Sequence, residues 1–335
     1  MTGGIAMQGI EREIESNYSL DVSNMFAHKD AFIVVTPKGR KIVRRIPFSY
    51  ERLKFVHGAK EHLAANGFPC IDSYMLTISG DPGFYHNNCL YALTDFIEGR
   101  ESSFDSDADL VRAAVALAGL HNASAGYIAP DDCKIQNELG KLPGYFSKRL
   151  DDIKKMRKQA KKGKSRFDQL FIQYADHFIS MGETASKELA ASAYGILASR
   201  TLEEKSFCHH DYTHHNIVMD GGHVTIINFD YCCYELRVYD IANLIRRKMR
   251  KCDWDISKIG LIIQSYSSVA PLSIEELEVM KIILQFPQKL WRVVNRYYNS
   301  RRSWSEKSYV SRLLEVINEI EPFEAFVKVY ERTYL

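Results

Sequence analysis

The chain has 335 residues, 46% of them hydrophobic and 26% charged, with 44 basic residues against 42 acidic ones. That length can hold a large core, divided between two lobes, and the composition is that of a soluble globular protein. A formal net charge of +2 gives no global field for nucleic acid or a membrane surface, no apolar run reaches the ~18 residues of a membrane span, and no signal peptide opens the chain. Seven cysteines, an odd number with no Cys-x-x-Cys among them, point to a reducing compartment. The adjacent Cys232 and Cys233 read as packing groups, and nineteen tyrosines as aromatic core and interface.

Residues 1–17 are polar around Gly3-Gly4 and read as frayed or weakly helical. Residues 31–36 (AFIVVT) and 41–46 (KIVRRI) are strands joined by a turn at Pro37-Lys38-Gly39. Residues 49–66 are helical, with Leu53, Val56, Lys60 and Leu63 spacing one face, and Gly67 closes the helix. Residues 70–78 and 89–97 are strand-like, separated by Gly80-Asp81-Pro82-Gly83, and residues 93–99 lead into a linker. A helix follows at 107–122, with Asp107 or Asp109 favouring its N-terminus and His121 near its end.

Residues 141–166 carry a basic run that is either a polyanion contact or a solvated helix face. A long helical pattern occupies 167–197. Residues 240–250 are helical with Asp240 as N-cap, and Ser273 with Glu276 forms a capping box. Pro287 breaks the apolar stretch 277–290. In 291–304, Arg292 and Arg296 lie one turn apart with Arg301 and Arg302 beyond, either an anion clamp or surface charge beside a buried aromatic face. The tail is helical, and no internal repeat is present.

Residues 208–240 carry the chemistry. His209-His210-Asp211 is followed by Asn216, then by two β-branched runs joined through Asp220-Gly221-Gly222, a hairpin signal, and then by Asn228-Phe229-Asp230. An Asp, an Asn five residues on, a hairpin and a carboxylate-rich turn are how kinase-like folds place a catalytic base and two metal ligands. Asp211 takes the place of the base and Asn216 that of a metal ligand, and the position of the second metal ligand, 228, holds Asn. The fold class expected is α+β: a bilobal protein-kinase-like fold with a small β-rich N-lobe (1–95, a sheet plus one helix) and a larger helical C-lobe (96–335) containing the hairpin at 208–230. Arg44 then falls where a strand lysine grips phosphates, unless it is simply a solvated strand residue; an arginine fork is not a point ammonium. Glu51 and Glu61 are the helix carboxylates that could orient it. Asp95 and Ile97 fall in the hinge whose backbone meets adenine. No G-x-G-x-x-G loop precedes them. A competing reading makes His209, His210, Asp211, His214 and His215 a transition-metal site.

The segments FCHHDYTHHNIVMD, FDYCCYELRVYDIANLIRRKMRK and FPQKLWRVVNRYYNSRRSW, with DFIEGRESSFDS and LAGLHNASAGY, resemble the CotS-family spore-coat proteins of the aminoglycoside/choline-kinase-like superfamily. The resemblance runs over residues 18–330; FDYCCYELRVYD and NRYYNSRRSW are its most specific parts. It implies a protein made in the mother-cell cytoplasm of a spore former and deposited on the coat, with coat proteins or a small-molecule acceptor as partners and ATP and Mg²⁺ as cofactors if the site is active. Carried onto this sequence, it implies Asp211 as catalytic base, His209 as the structural His of the catalytic loop, and Asn216 as a metal ligand. The family pattern reads Ile-Asp-Phe-Asp-Tyr-Cys where this chain has Asn228. Asn supplies a neutral oxygen in place of a carboxylate beside a hard cation; Asp230, two residues on, points to the opposite face if the segment is extended and partly substitutes as a metal ligand if it turns there. With Arg44 as a second departure, the expectation is a kinase-like coat protein with weakened or lost phosphotransfer; the alternative is an active ATP- and Mg²⁺-dependent phosphotransferase acting on a small molecule or a coat-protein hydroxyl.

Overall fold

A computed structural model describes residues 9–249, 252–300 and 305–335. The chain divides into two compact units, residues 1–137 with 205–234 and residues 138–204 with 235–335. The first therefore takes in the residues expected as the N-lobe, the segment 96–137 and the hairpin that follows Asp211.

The first unit is built on a five-stranded antiparallel sheet. Helix α1 (Ile10–Tyr18) precedes β1 (Asn24–His28), β2 (Ala31–Thr36) and β3 (Gly39–Arg45); α2 (Tyr50–Ala65) intervenes before β4 (Phe84–His86) and β5 (Cys89–Asp95). The strand order is β1-β2-β3-β5-β4. In α1, Ile10, Ile14 and Tyr18 recur every four residues and pack with Val34, Val43 and Leu93 of the sheet. The α1 residues fall in a segment whose sequence promised at most weak helix, and β1 was not foreseen: its largely exposed NMFAH has no apolar/polar alternation to betray it.

The predicted strand at 70–78 does not form as one ladder. Ile71 bridges to Ile226 while Tyr74 bridges to Thr94, and the Cys70 carbonyl accepts from Ile226 N–H as Met75 N–H donates to Leu93. The run shares its backbone bonds between two sheets instead of completing either. The second of these sheets consists of β6 (Arg100–Glu101), β8 (Ile217–Asp220) and β9 (His223–Ile226); α3 (Asp107–Ser124) and β7 (Phe207–Cys208) lie between β6 and β8 in sequence, and β7 pairs with β10 (Cys233–Tyr234). The predicted hairpin is present, with Asp220 opposite His223 and Gly221 at φ +50° in the two-residue turn. Cys208, Cys232 and Cys233 are buried and form no disulfide.

The second unit is helical: α4 (Leu142–Ala160), α5 (Arg166–Ala191), α6 (Tyr194–Glu204), α7 (Arg237–Met249), α8 (Ile256–Ser267), α9 (Ile274–Gln285), α10 (Gln288–Asn299), α11 (Glu306–Ile317) and α12 (Ile320–Tyr334). Phe167, Phe171, Leu290, Val294 and Leu313 lie in its core, where Phe167 stacks on Tyr297 at 3.9 Å. The Ser273–Glu276 capping box forms, and Pro287 separates α9 from α10. The pattern at 167–197 breaks at Ser192, whose backbone is extended. Asp240 is not an N-cap: α7 starts three residues earlier and holds Asp240 buried in its first turn, where a carboxylate still suits the helix dipole. Arg250, Arg301 and Arg302 lie outside the described residues. No helix among the described residues is long and apolar enough to cross a membrane.

Glu235 is 5% exposed. Burial pushes its carboxyl up to about 7, against the Leu236 N–H that favours the charged form. Between the unfolded carboxylate range and pH 7 the native state holds the extra proton, so this group's stabilisation is present at low pH and fades as pH rises. Glu235→Gln, neutral at every pH, should therefore gain about 2–4 kcal/mol over the parent at pH 8 and almost nothing at pH 4, measured by urea unfolding.

Candidate functional site

A cavity of about 660 Å³ opens in the first unit. Its apolar lining includes Ile42, Ala92, Val218 and Ile227; its polar lining includes Arg44, Asp72, Tyr74, Asn216 and Asn228; and Asp95, Phe96 and Ile97, the segment expected as a hinge, line one edge. Asp95 is ion-paired with Lys41, and Arg40 lies over the Phe96 ring at 4.4 Å. At the end of this edge Gly99 has φ +132°, and a Cβ there would come within 2.6 Å of the Met219 carbonyl. Only glycine suits that close approach.

The residues expected as a catalytic loop are tied together by hydrogen bonds. The Asp211 N–H donates to His209 Nδ1 at 3.2 Å, which leaves Nε2 to donate to the Ile227 carbonyl at 3.0 Å. Buried His209 thus fastens the loop to the far strand of the hairpin. Asn216 Nδ2 donates to the Asp211 carbonyl (2.9 Å) and to its carboxylate (3.1 Å). Asn228 Nδ2 in turn reaches Asn216 Oδ1 at 3.3 Å. Asn228 is in the left-handed region at φ +66°, which Asn and Asp tolerate better than other side chains.

The carboxylates around Asn228 are held by protein cations. Arg44 sends both terminal nitrogens to Asp230, at 2.5 and 2.6 Å, a bidentate pair whose side chains are 20% and 10% exposed. Arg44 is therefore neither a solvated strand residue nor a free phosphate grip, and Asp230, expected as a partial substitute for the metal Asp, has both oxygens engaged. Neither helix glutamate meets Arg44; Glu51 and Glu61 are exposed. Helix α2 contributes cations instead. Arg52 donates to the carbonyls of Asp230 and Cys232, and Lys60, fully buried, lies 2.9 Å from Asp72 Oδ1, donates to the Asp72 carbonyl at 2.7 Å and sits 3.8 Å over the Tyr74 ring. Burial lowers the Lys60 pKa and Asp72 raises it back in part. Asp72 Oδ2 accepts the Asn228 N–H at 3.0 Å.

Lys60, Asp72 and Tyr74 were not foreseen as site residues. The signal was present: a lysine in the apolar register of α2 needs a buried carboxylate, and Asp72 is the acid inside the apolar run 70–78.

Magnesium asks for oxygen ligands in near-octahedral array, usually with one or two carboxylates. Here Asp72 and Asp230 face protein cations, the amides of Asn216 and Asn228 face each other donor to acceptor, and Asn228 Oδ1 and Asp72 Oδ1 are buried oxygens that accept no hydrogen bond. The residues do not fit a phosphoryl-transfer metal site. They do suit an organic ligand, since the Tyr74 hydroxyl is also buried and unpartnered beside an apolar floor.

The other basic features resolve differently. In the run at 141–166, Arg157 and Lys154 pair with Asp176 and Glu183 of α5, as a packed and solvated helix face would. Arg292 and Arg296 line a separate cavity of about 780 Å³ within the second unit, together with Arg312, Glu315 and a Lys289–Glu319 pair at 2.6 Å.

Comparison with known proteins agrees with this architecture. The chain is 27% identical over 305 residues to Spore coat protein S of Bacillus subtilis (strain 168), covering 90% of this chain and 86% of that protein. Its fold is shared with an aminoglycoside phosphotransferase from Alicyclobacillus acidocaldarius, at TM-score 0.86 and 20% identity over 96% of each chain. It is shared more distantly with the amicoumacin kinase hAmiN solved with AMP-PNP and Ca²⁺, at TM-score 0.60 and 14% identity over 93% of each. The fold is thus kinase-like, as expected, with a small antiparallel sheet and a mostly helical remainder. The model of the family described as "Spore coat putative kinase YutH" matches residues 11–330, and the chain belongs to that family.

Proposed function

We propose that this chain is a coat-associated kinase-like protein that keeps a nucleotide-sized cavity and has weakened or lost phosphotransfer. The observation that carries the reading is the pairing of Arg44 with Asp230 and of Lys60 with Asp72 around a neutral Asn228. Protein cations neutralise the carboxylates that a divalent ion would need, and Arg44 spends its fork on Asp230. The spore-coat setting follows the family and the relative named Spore coat protein S; coat proteins are then the natural partners of its surface. In favour of the alternative, an active phosphotransferase, stands the bonded Asp211–Asn216 pair, which retains a base position.

The test is ATP turnover with Mg²⁺. The parent chain should turn over at background, whereas Asn228→Asp, alone or with Arg44→Lys, should raise metal-dependent turnover at least about tenfold, equivalent to ~1.4 kcal/mol of barrier. A parent chain with robust turnover would establish the alternative. No gain in either variant would remove position 228 as the cause of the loss.

A further inference from the structure

At the rim of the same cavity, Glu101 of β6 and the adjacent histidines 214 and 215 bring a carboxylate oxygen and two imidazole nitrogens within 4.8 Å of one another. We propose that Glu101, His214 and His215 form a site for an imidazole-preferring divalent ion such as Zn²⁺. Ligands on one tetrahedral zinc stand ~3.4 Å apart, from bonds of about 2.0–2.1 Å, so small side-chain rotations close the set, and water fills the remaining position.

The backbone that presents these ligands is fixed. Glu101 pairs with Val218 in the β6–β8 ladder, the Ser102 N–H donates to the Ile217 carbonyl at 2.8 Å, and Ser102 Oγ donates to the His214 carbonyl at 3.2 Å. The two rings stand 3.8 Å apart between centroids, and Phe104 meets the His214 ring edge-on at 5.7 Å. His215 Nδ1 already lies 2.5 Å from Glu101 Oε2. The donor set of two imidazoles and a carboxylate selects borderline transition ions over Mg²⁺, unlike the amide pair at Asn216 and Asn228. It also differs from the five-residue histidine site considered from the sequence, because His209 is committed to Ile227 and Asp211. Lys29, ion-paired with Glu101 and 60% exposed, is the cation that the metal would displace.

The experiment uses tag-free full-length protein, titrated with Zn²⁺ against a chromophoric chelator and with Co²⁺ read by its visible d–d absorption. One ion per chain with a four-coordinate Co²⁺ spectrum is expected. His215→Asn and Glu101→Gln should each weaken binding by at least about 10–100-fold, and Lys29→Ala should tighten it. Thermal unfolding of the metal-free variants checks that all are folded. Affinity unchanged in both His215→Asn and Glu101→Gln, or a parent chain that takes up no ion, would overturn the proposal.

Discussion

Lys60→Met should destabilise the protein by about 3–5 kcal/mol, the usual cost of stranding one member of a buried ion pair. Lys60 has no exposure, and its ammonium is the cation beside Asp72 Oδ1. Without it the Asp72 carboxylate keeps the Asn228 N–H but only the more distant charge of Arg44. Asp72→Asn alone should also be costly, because it leaves the ammonium buried among Tyr74, Phe229 and the Asp72 carbonyl. The double variant Lys60→Met/Asp72→Asn should recover most of the loss, since the pair's net contribution over apolar or neutral isosteres is small. A denaturant double-mutant cycle reads the coupling; two single losses that simply add would show that the pair is not the reason either residue matters.

Arg44→Met should cost a similar amount, about 3–5 kcal/mol, for the same reason at Asp230. The geometry makes a further distinction. Arg44 binds with two parallel hydrogen bonds, so Arg44→Lys keeps the charge, loses the fork and should cost about 1–2 kcal/mol. The Arg52 bonds to the Asp230 and Cys232 carbonyls hold the turn in place, so the loss should appear as lowered stability of a folded chain. Unfolding midpoints in urea that do not separate Met from Lys at position 44 would contradict the bidentate account.

Much of the fold could be read from the chain because its signals were local. The β2–β3 hairpin, the Asp220-Gly221-Gly222 turn, the Ser273 capping box and the Pro287 break each rest on a few neighbouring residues with one strong preference. The misreadings arose where long-range pairing decides. Residues 70–78 have the composition of a strand but divide their hydrogen bonds between two sheets, and β1 is an exposed edge strand that pairs only with β2. The site followed the same rule. The spacing of Asp211 and Asn216 is local and legible. The partner of Arg44 lies 186 residues away, and Lys60 looked like an interruption of an apolar face until Asp72 stood beside it.

In the proposed function, protein cations take the place of the metal beside a cavity that still takes a nucleotide. The most direct test is thermal unfolding with ADP, in Mg²⁺ and in EDTA. A ligand that binds only the native state stabilises it by about 2.7 kcal/mol at a hundred times its dissociation constant. The unfolding temperature should rise equally in Mg²⁺ and in EDTA. A rise seen only with Mg²⁺ would show that a divalent ion still assembles at the site, and no rise at millimolar ADP would show that the cavity is not a nucleotide pocket; either result contradicts the account.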